Sequence, residues 1–450
     1  MGLERLSLLA VASRRHRWHN EGMTTPQLFP RTFRIRQTFE RPRVENVSEA
    51  VETELARLNL GAKVRAGETV AITAGSRGIA NIREITKAIV DHVKQLGGVP
   101  FLVPAMGSHG GATSDGQRHV LETYGMTEAY CGCPIRSSME TVVVCQAAEG
   151  FPVYFDRHAF EANHVIVCGR VKPHTAFVGE IESGLMKMLL IGLGKHEGAK
   201  VYHRAIVNYS FGQIVRSVAR EVLERCHILA GVAIVENGYD ETARIEAVRP
   251  AEFEAREIEL LKLARAWLPR LPFREADVLL IDEIGKNISG AGIDTNVVGR
   301  KFNDHMAMPD EWPKIRRIAV RSLTPETQGN ATGIGIAEFC RTPMIEQMDR
   351  RATAINCITA SHPTAAMAPI DFATDREMLA AALSTIGLAG PAEARLMWIK
   401  NTLQVAEVEC SEAYLSEARE RNDLAILTDA RPLPFGPEGN LSLRAFGATF

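Results

Sequence analysis

Residues 170–203 read RVKPHTAFVGEIESGLMKMLLIGLGKHEGAKVYH and gather His174, His196 and His203 with Lys172, Lys187, Lys195 and Lys200, with His164 just upstream. Imidazole titrates near neutrality and is a common metal ligand. A lysine among apolar residues gives up its proton more readily and becomes a nucleophile or a covalent anchor. Lys187 has this setting, between Met186 and Met188 in ESGLMKMLL. A buried helix whose lysine snorkels to water is the competing reading. His203 ends AKVYH and reads either as a metal ligand or as a hydrogen-bonded structural histidine. His196, Lys195 and Lys200 sit in a glycine-punctuated stretch and read as solvated turn residues. GLGK at 192–195 lacks the spacing of a phosphate loop and the Ser or Thr that should follow it.

Two earlier stretches carry chemistry of the same kind. His109 stands in MGSHGGAT directly after an apolar run, among Gly107, Gly110 and Gly111. Glycines let backbone amides approach a ligand, and Ser108 adds a hydroxyl. A histidine at a strand end is placed for proton transfer, and His174, in RVKPHT, has the same placement. Ser76 and Arg77, in GSRGI, also follow an apolar run, and a guanidinium suits a carboxylate or phosphate.

The elements that must position these residues follow from apolar patterning. Strand signals fall at 68–75, 99–107, 140–145, 152–155, 164–170 and 228–235. Helical spacing covers 82–96, 117–124, 211–225 and 250–268. This alternation predicts an α/β fold with Rossmann-like parallel sheets, in which loops at the carboxyl ends of strands meet at one rim. SRGIAN, GSHGGAT and RVKPHT should meet there. After a link at 271–274, DVLLIDEI at 277–284 opens a second unit, followed by the loop GKNISGAG with Lys286. Strands are expected at 317–322 and 354–359 and helices at 375–386 and 411–421. The expected division is an extension over 1–30, a first domain over 31–270 and an α/β domain over 275–435.

The chain has 450 residues, 46% hydrophobic and 24% charged, with a formal net charge of -2. That length favours two domains. The balance of charge gives no case for a nucleic-acid backbone or an anionic membrane surface, and no apolar run reaches spanning length. Eight scattered cysteines do not make a disulfide scaffold, which points to a reducing cytoplasm. In residues 1–22 an apolar piece precedes a basic patch, the reverse of a secretory signal, and Met23 reads as an alternative start.

SRGIANI, MGSHGGAT, RVKPHT and SGLMK followed by His203 together resemble the lactate racemase superfamily, best over about 60–210. The resemblance implies two α/β domains and a nickel-pincer nucleotide between them. It implies His109 and His174 as acid and base, Lys187 as the cofactor tether, His203 as the nickel ligand and Arg77 as the carboxylate-binding residue. Ser76, Gly107, Ser108, Gly110 and Gly111 become cofactor-binding candidates, and Lys286 stands in for a lysine–aspartate loop that is not otherwise recognisable. Ala74 and Gly110 occupy places where the lactate enzymes carry an acidic and an arginine-like residue. That departure points to another 2-hydroxyacid or a sugar acid as substrate. Cofactor-synthesis proteins are the implied partners. A racemase with untethered cofactor and a non-catalytic nucleotide- or metal-binding protein remain alternatives, and the oligomeric state is open.

Overall fold

The computed structural model describes residues 28–75 and 78–442. The expected extension over 1–30 and both candidate starts thus fall almost wholly outside the described residues.

A five-stranded sheet runs in the order Val99–Pro104, Thr69–Ala74, His164–Arg170, Ile228–Glu236, Thr242–Val248. The first four strands are parallel, and the last returns antiparallel. Alternation along each strand sends side chains to opposite faces. Ala71, Phe101, Val103, Val165 and Val167 face one core, which the helices Phe211–Arg225 and Phe253–Ala266 cover. Val70, Ile72, Leu102, Ile166 and Val232 face the other, covered by Val47–Arg57 and Ile82–Gln95. Ile82, Ile85, Ile89 and Val93 recur at helical spacing and are buried. The five strands are therefore covered by helices on both faces, the arrangement that near-continuous apolar strands require.

An eight-stranded sheet forms the second unit, ordered Ile370–Phe372, Phe339–Arg341, Lys314–Leu323, Glu275–Ile284, Leu396–Ile399, Glu407–Ser411, Thr32–Gln37, Leu424–Ile426. It is parallel over its first five strands and antiparallel beyond them. The expected parallel sheet is thus five of these eight strands, extended by three antiparallel ones.

Two expectations need correction. Thr32–Gln37 belongs to this second sheet, pairing with Glu407–Ser411 and Leu424–Ile426, so a first domain beginning at 31 does not describe the packing. In TFRIRQ, buried Phe33 and Ile35 alternate with arginines, a half-buried pattern without the apolar run of a central strand. Residues 354–359 form part of a helix, Arg350–Thr359, rather than a strand. The Asp349 carboxylate accepts from the Ala352 amide and starts that helix, and this cap outweighs the β-branched residues that follow.

Among the described residues, no helix is long and apolar enough to cross a membrane.

Candidate active site

A cavity of about 260 Å³ opens between the two sheets, and both units line it. From the first unit come Gly75, Ser108, His109, Lys172, His174, Lys187 and His203, and from the second Lys286, Thr332, Asn356, Thr359 and His362. The loops after Thr69–Ala74, Val99–Pro104 and His164–Arg170 do meet at one rim, as adjacent parallel strands dictate. Ser76 and Arg77 lie outside the described residues.

His109 is held from below by a buried network. It precedes the short turn Gly110–Ala112, which leads into the helix Ser114–Thr123. Gln117, fully buried on that helix, donates from Nε2 to the carbonyls of Gly107 at 2.8 Å and His109 at 3.3 Å. Its Oε1 accepts from Lys195 Nζ at 2.8 Å, and the same ammonium donates to the Pro104 carbonyl at 2.8 Å and faces Asp156 at 3.4 Å. Lys195 is therefore no solvated turn residue; it is wholly buried and ties a strand end to the helix behind His109. Burial pushes its ammonium below, and the Asp156 carboxyl above, their ordinary values, while their mutual attraction opposes both shifts.

The glycines of this loop answer to chain geometry. Gly110 has φ +63, and a β-carbon there would come within 2.5 Å of the Gln117 amide nitrogen. Gly107, Gly110 and Gly111 are not among the residues lining the cavity, whereas Ser108 is.

His174 is held from both units. Its amide donates to Glu182 Oε2 at 2.5 Å, and buried Glu182 also accepts from the Gly179 amide at 3.2 Å and from Arg265 at 2.6 Å. The second unit grips the same loop. Asn296 donates to the His174 carbonyl at 3.4 Å, Thr295 to the Thr175 carbonyl at 2.5 Å and Lys301 to the Phe177 carbonyl at 3.3 Å. Lys172 and Asp294 form an ion pair across the units at 2.8 Å. The ring stacks on Phe177 at 4.4 Å, and Phe177 stacks on Phe211 at 4.6 Å. The Ala176 amide donates to Nδ1 at 3.0 Å.

Lys187 ends the one-turn helix Leu185–Lys187, and a π-helical turn, Met188–Gly192, follows. Such widened turns recur at functional sites. Its Nζ lies 3.5 Å from Ser183 Oγ. The turn is anchored by Glu257, which accepts from the Met186 amide at 2.9 Å and whose carboxyl burial pushes up to about 7. His203 lies on the helix Lys195–Ala205, and burial, helped by the Lys187 charge, lowers its imidazole to about 4. A neutral imidazole is the form that ligates a metal. Among the described residues, no group of three or more His, Cys, Asp or Glu side chains gathers to hold a metal ion. Lys286 follows the strand Glu275–Ile284 and donates to the Gly290 carbonyl at 2.7 Å.

Sequence reasoning missed Gln117, Glu182, Glu257 and the place of Lys195. Each acts through buried backbone contacts that leave no local motif. His362 had only its loop placement to mark it.

Comparison with known proteins agrees with the motifs over the first unit. Residues 32–212 match the family model described as the lactate racemase N-terminal domain. No curated protein matches. Among solved structures, the lactate racemase apoprotein of Thermoanaerobacterium thermosaccharolyticum is similar at 12% identity and TM-score 0.47, over 84% of this chain and 85% of that one. A protein from Thermotoga maritima is similar at 12% identity and TM-score 0.47, over 73% of this chain and 84% of that one. Over residues 32–212, this chain is thus similar to the lactate racemase N-terminal domain.

Proposed function

We propose that the chain is a racemase or epimerase of a 2-hydroxyacid that works with a nickel-pincer nucleotide. The observation that carries this reading is one cavity, in a chain similar over residues 32–212 to the lactate racemase N-terminal domain, lined together by His109, His174, Lys187 and His203.

The donor set fits that group. His203 offers a neutral imidazole, and no cluster of protein ligands gathers among the described residues, so a metal here must arrive with most of its own donors. Lys187 is the tether candidate, close enough to His203 for its charge to be felt there. When bound, the group supplies an electrophilic ring that can accept and return a hydride.

The residues of the chain do the rest. One of His109 and His174 takes the proton from the substrate hydroxyl oxygen, and the other returns it after the substrate presents its opposite face. The stacked Phe177 and Phe211 keep the His174 ring in plane and exclude water from one side of it. Lys286, which lines the cavity from the second unit, meets the substrate from that side. Proton transfer by a positioned side chain contributes roughly 10²–10⁴-fold.

The test is racemisation of a panel of 2-hydroxyacids and aldonates in deuterated water, by protein co-expressed with cofactor-synthesis proteins. The product should keep its α-hydrogen, and His109→Gln and His174→Gln should each lose about 10²–10⁴-fold in rate. Deuterium at the α-carbon would overturn hydride return in favour of carbanion chemistry. Inactivity of nickel-loaded protein across the panel would leave a non-catalytic binding protein.

A further inference from the structure

The cavity has a fourth histidine that the reading above does not use. No aspartate or glutamate lines this cavity among the described residues, while Arg170, Lys172, Lys187 and Lys286 do. Arg170 is paired with Glu236 and Lys172 with Asp294, outside the lining. Lys187 lines the cavity from the first unit, and Lys286 and His362 line it from the second.

His362 is built as a presented imidazole. Its Nε2 lies 2.8 and 2.9 Å from the two oxygens of Asp304, and Thr364 Oγ1 donates to the same carboxylate at 2.5 Å. Arg300 donates to the Asp304 carbonyl at 3.0 Å and fixes the loop that carries it. The Asp304 side chain is 11% exposed and that of His362 37%. A carboxylate holding one ring nitrogen fixes the proton there and leaves the other nitrogen to act on a ligand. Nδ1 of His362 has no partner among the described residues. The Asp304 hydrogen bond raises the imidazole above its ordinary value and so favours the cation. Lys286 belongs to the same wall: the Cys357 thiol feels the charges of both Lys286 and Asp304. Thr332, Asn356 and Thr359 complete that wall with neutral hydrogen-bonding groups.

We propose that His362, held by Asp304, binds the ligand from the second unit and with Lys286 takes a second anionic group, a carboxylate or a phosphate, at the end of the substrate away from its hydroxyl-bearing carbon. His109 and His174 line the cavity from the first unit, and His362 and Lys286 line it from the second. The carboxylate of a 2-hydroxyacid is attached to the reacting carbon and must stay beside His109 and His174, on the first unit. An anion beside Lys286 and His362 is therefore a different group of the same molecule. The hydroxyacid end rests on the proposed function; the anion site stands on the residues of the second unit alone.

Calorimetry on the full-length chain tests this without turnover, using lactate, 2-hydroxybutanedioate and 3-phosphoglycerate as probes. At least one of the two-ended probes should bind more tightly than lactate. His362→Gln should weaken that probe roughly ten- to a hundredfold, the range for loss of a charge-assisted hydrogen bond, and leave lactate unchanged. His362→Lys, which restores a cation, should recover most of the loss. Asp304→Asn should lose the same selectivity and serves if His362→Gln does not fold. A response to only one of the two-ended probes supports the proposal and identifies the anion. Equal binding of all three probes by the wild-type chain, or equal weakening of lactate and the two-ended probes in His362→Gln, would overturn it. Selectivity through His362 in a protein that takes up no nucleotide at Lys187 would sink the proposed function and leave this inference standing.

Discussion

The two histidine loops follow neighbouring regions of one sheet, yet they are held in different ways. The loop of His109 is fastened within the first unit by Gln117 and the buried ammonium of Lys195. The loop of His174 is fastened by Glu182 from within and by Thr295, Asn296 and Lys301 from across the cavity. One histidine is thus a fixture of its own fold, whereas the position of the other depends on how the units sit together.

Removing the cation behind His109 should have the largest effect. Lys195→Met leaves Gln117 Oε1, the Pro104 carbonyl and the Asp156 carboxylate without their common donor in a dry interior. Loss of one partner from a buried pair costs about 3–5 kcal/mol, read by urea unfolding. Replacing Asp156 with Leu in the same chain should recover part of the loss, since it removes the uncompensated charge. A loss below about 1 kcal/mol in the single variant would show that the loop is not held this way.

Next comes a pH effect centred on Glu257, under the turn of Lys187. Its carboxyl is raised to about 7 in the fold by burial, against an ordinary value of 4.5. The folded chain therefore keeps a proton that the unfolded chain releases. This contribution to stability is intact below pH 4.5, declines as pH rises and levels off above about pH 7. The total change is on the order of 3 kcal/mol. Glu257→Gln should flatten the stability profile over that window, and an unchanged profile would contradict a protonated Glu257.

Smallest is the effect of loosening the grip across the units. Asn296→Ala should cost about 0.5–1.5 kcal/mol, the worth of one hydrogen bond. Amide hydrogen exchange should quicken over residues 174–179 and stay unchanged over 107–111. Equal quickening of both loops would erase the distinction between them.

The same contrast explains what was legible in the sequence. His109 and His174 follow strands, and strand-end placement brings them to one rim, whereas Lys187 and His203 lie on helical segments and stood out through the resemblance of their spacing. The helices Ile82–Gln95 and Phe211–Arg225 were equally plain, because their apolar residues repeat at helical spacing over three turns or more. Long-range pairing was not. TFRIRQ reaches across the whole chain to residues near 410, and its alternating arginines gave no local sign of where its partners lie. Lys195 read as a turn residue because glycines surround it, and only the fold places a strand end, Gln117 and Asp156 around its ammonium. His362, in TASHPT, carries no local motif either, since its partner Asp304 lies 58 residues away.

The central claim is that Lys187 and His203 together hold a nickel-bearing nucleotide in the cavity that His109 and His174 serve. Intact mass and nickel content of the chain, co-expressed with cofactor-synthesis proteins, test it most directly. The account predicts a mass increment with one nickel per chain, lost in Lys187→Ala, and loss of the nickel with retention of the increment in His203→Ala. Wild-type protein with neither increment nor nickel under those conditions would contradict it.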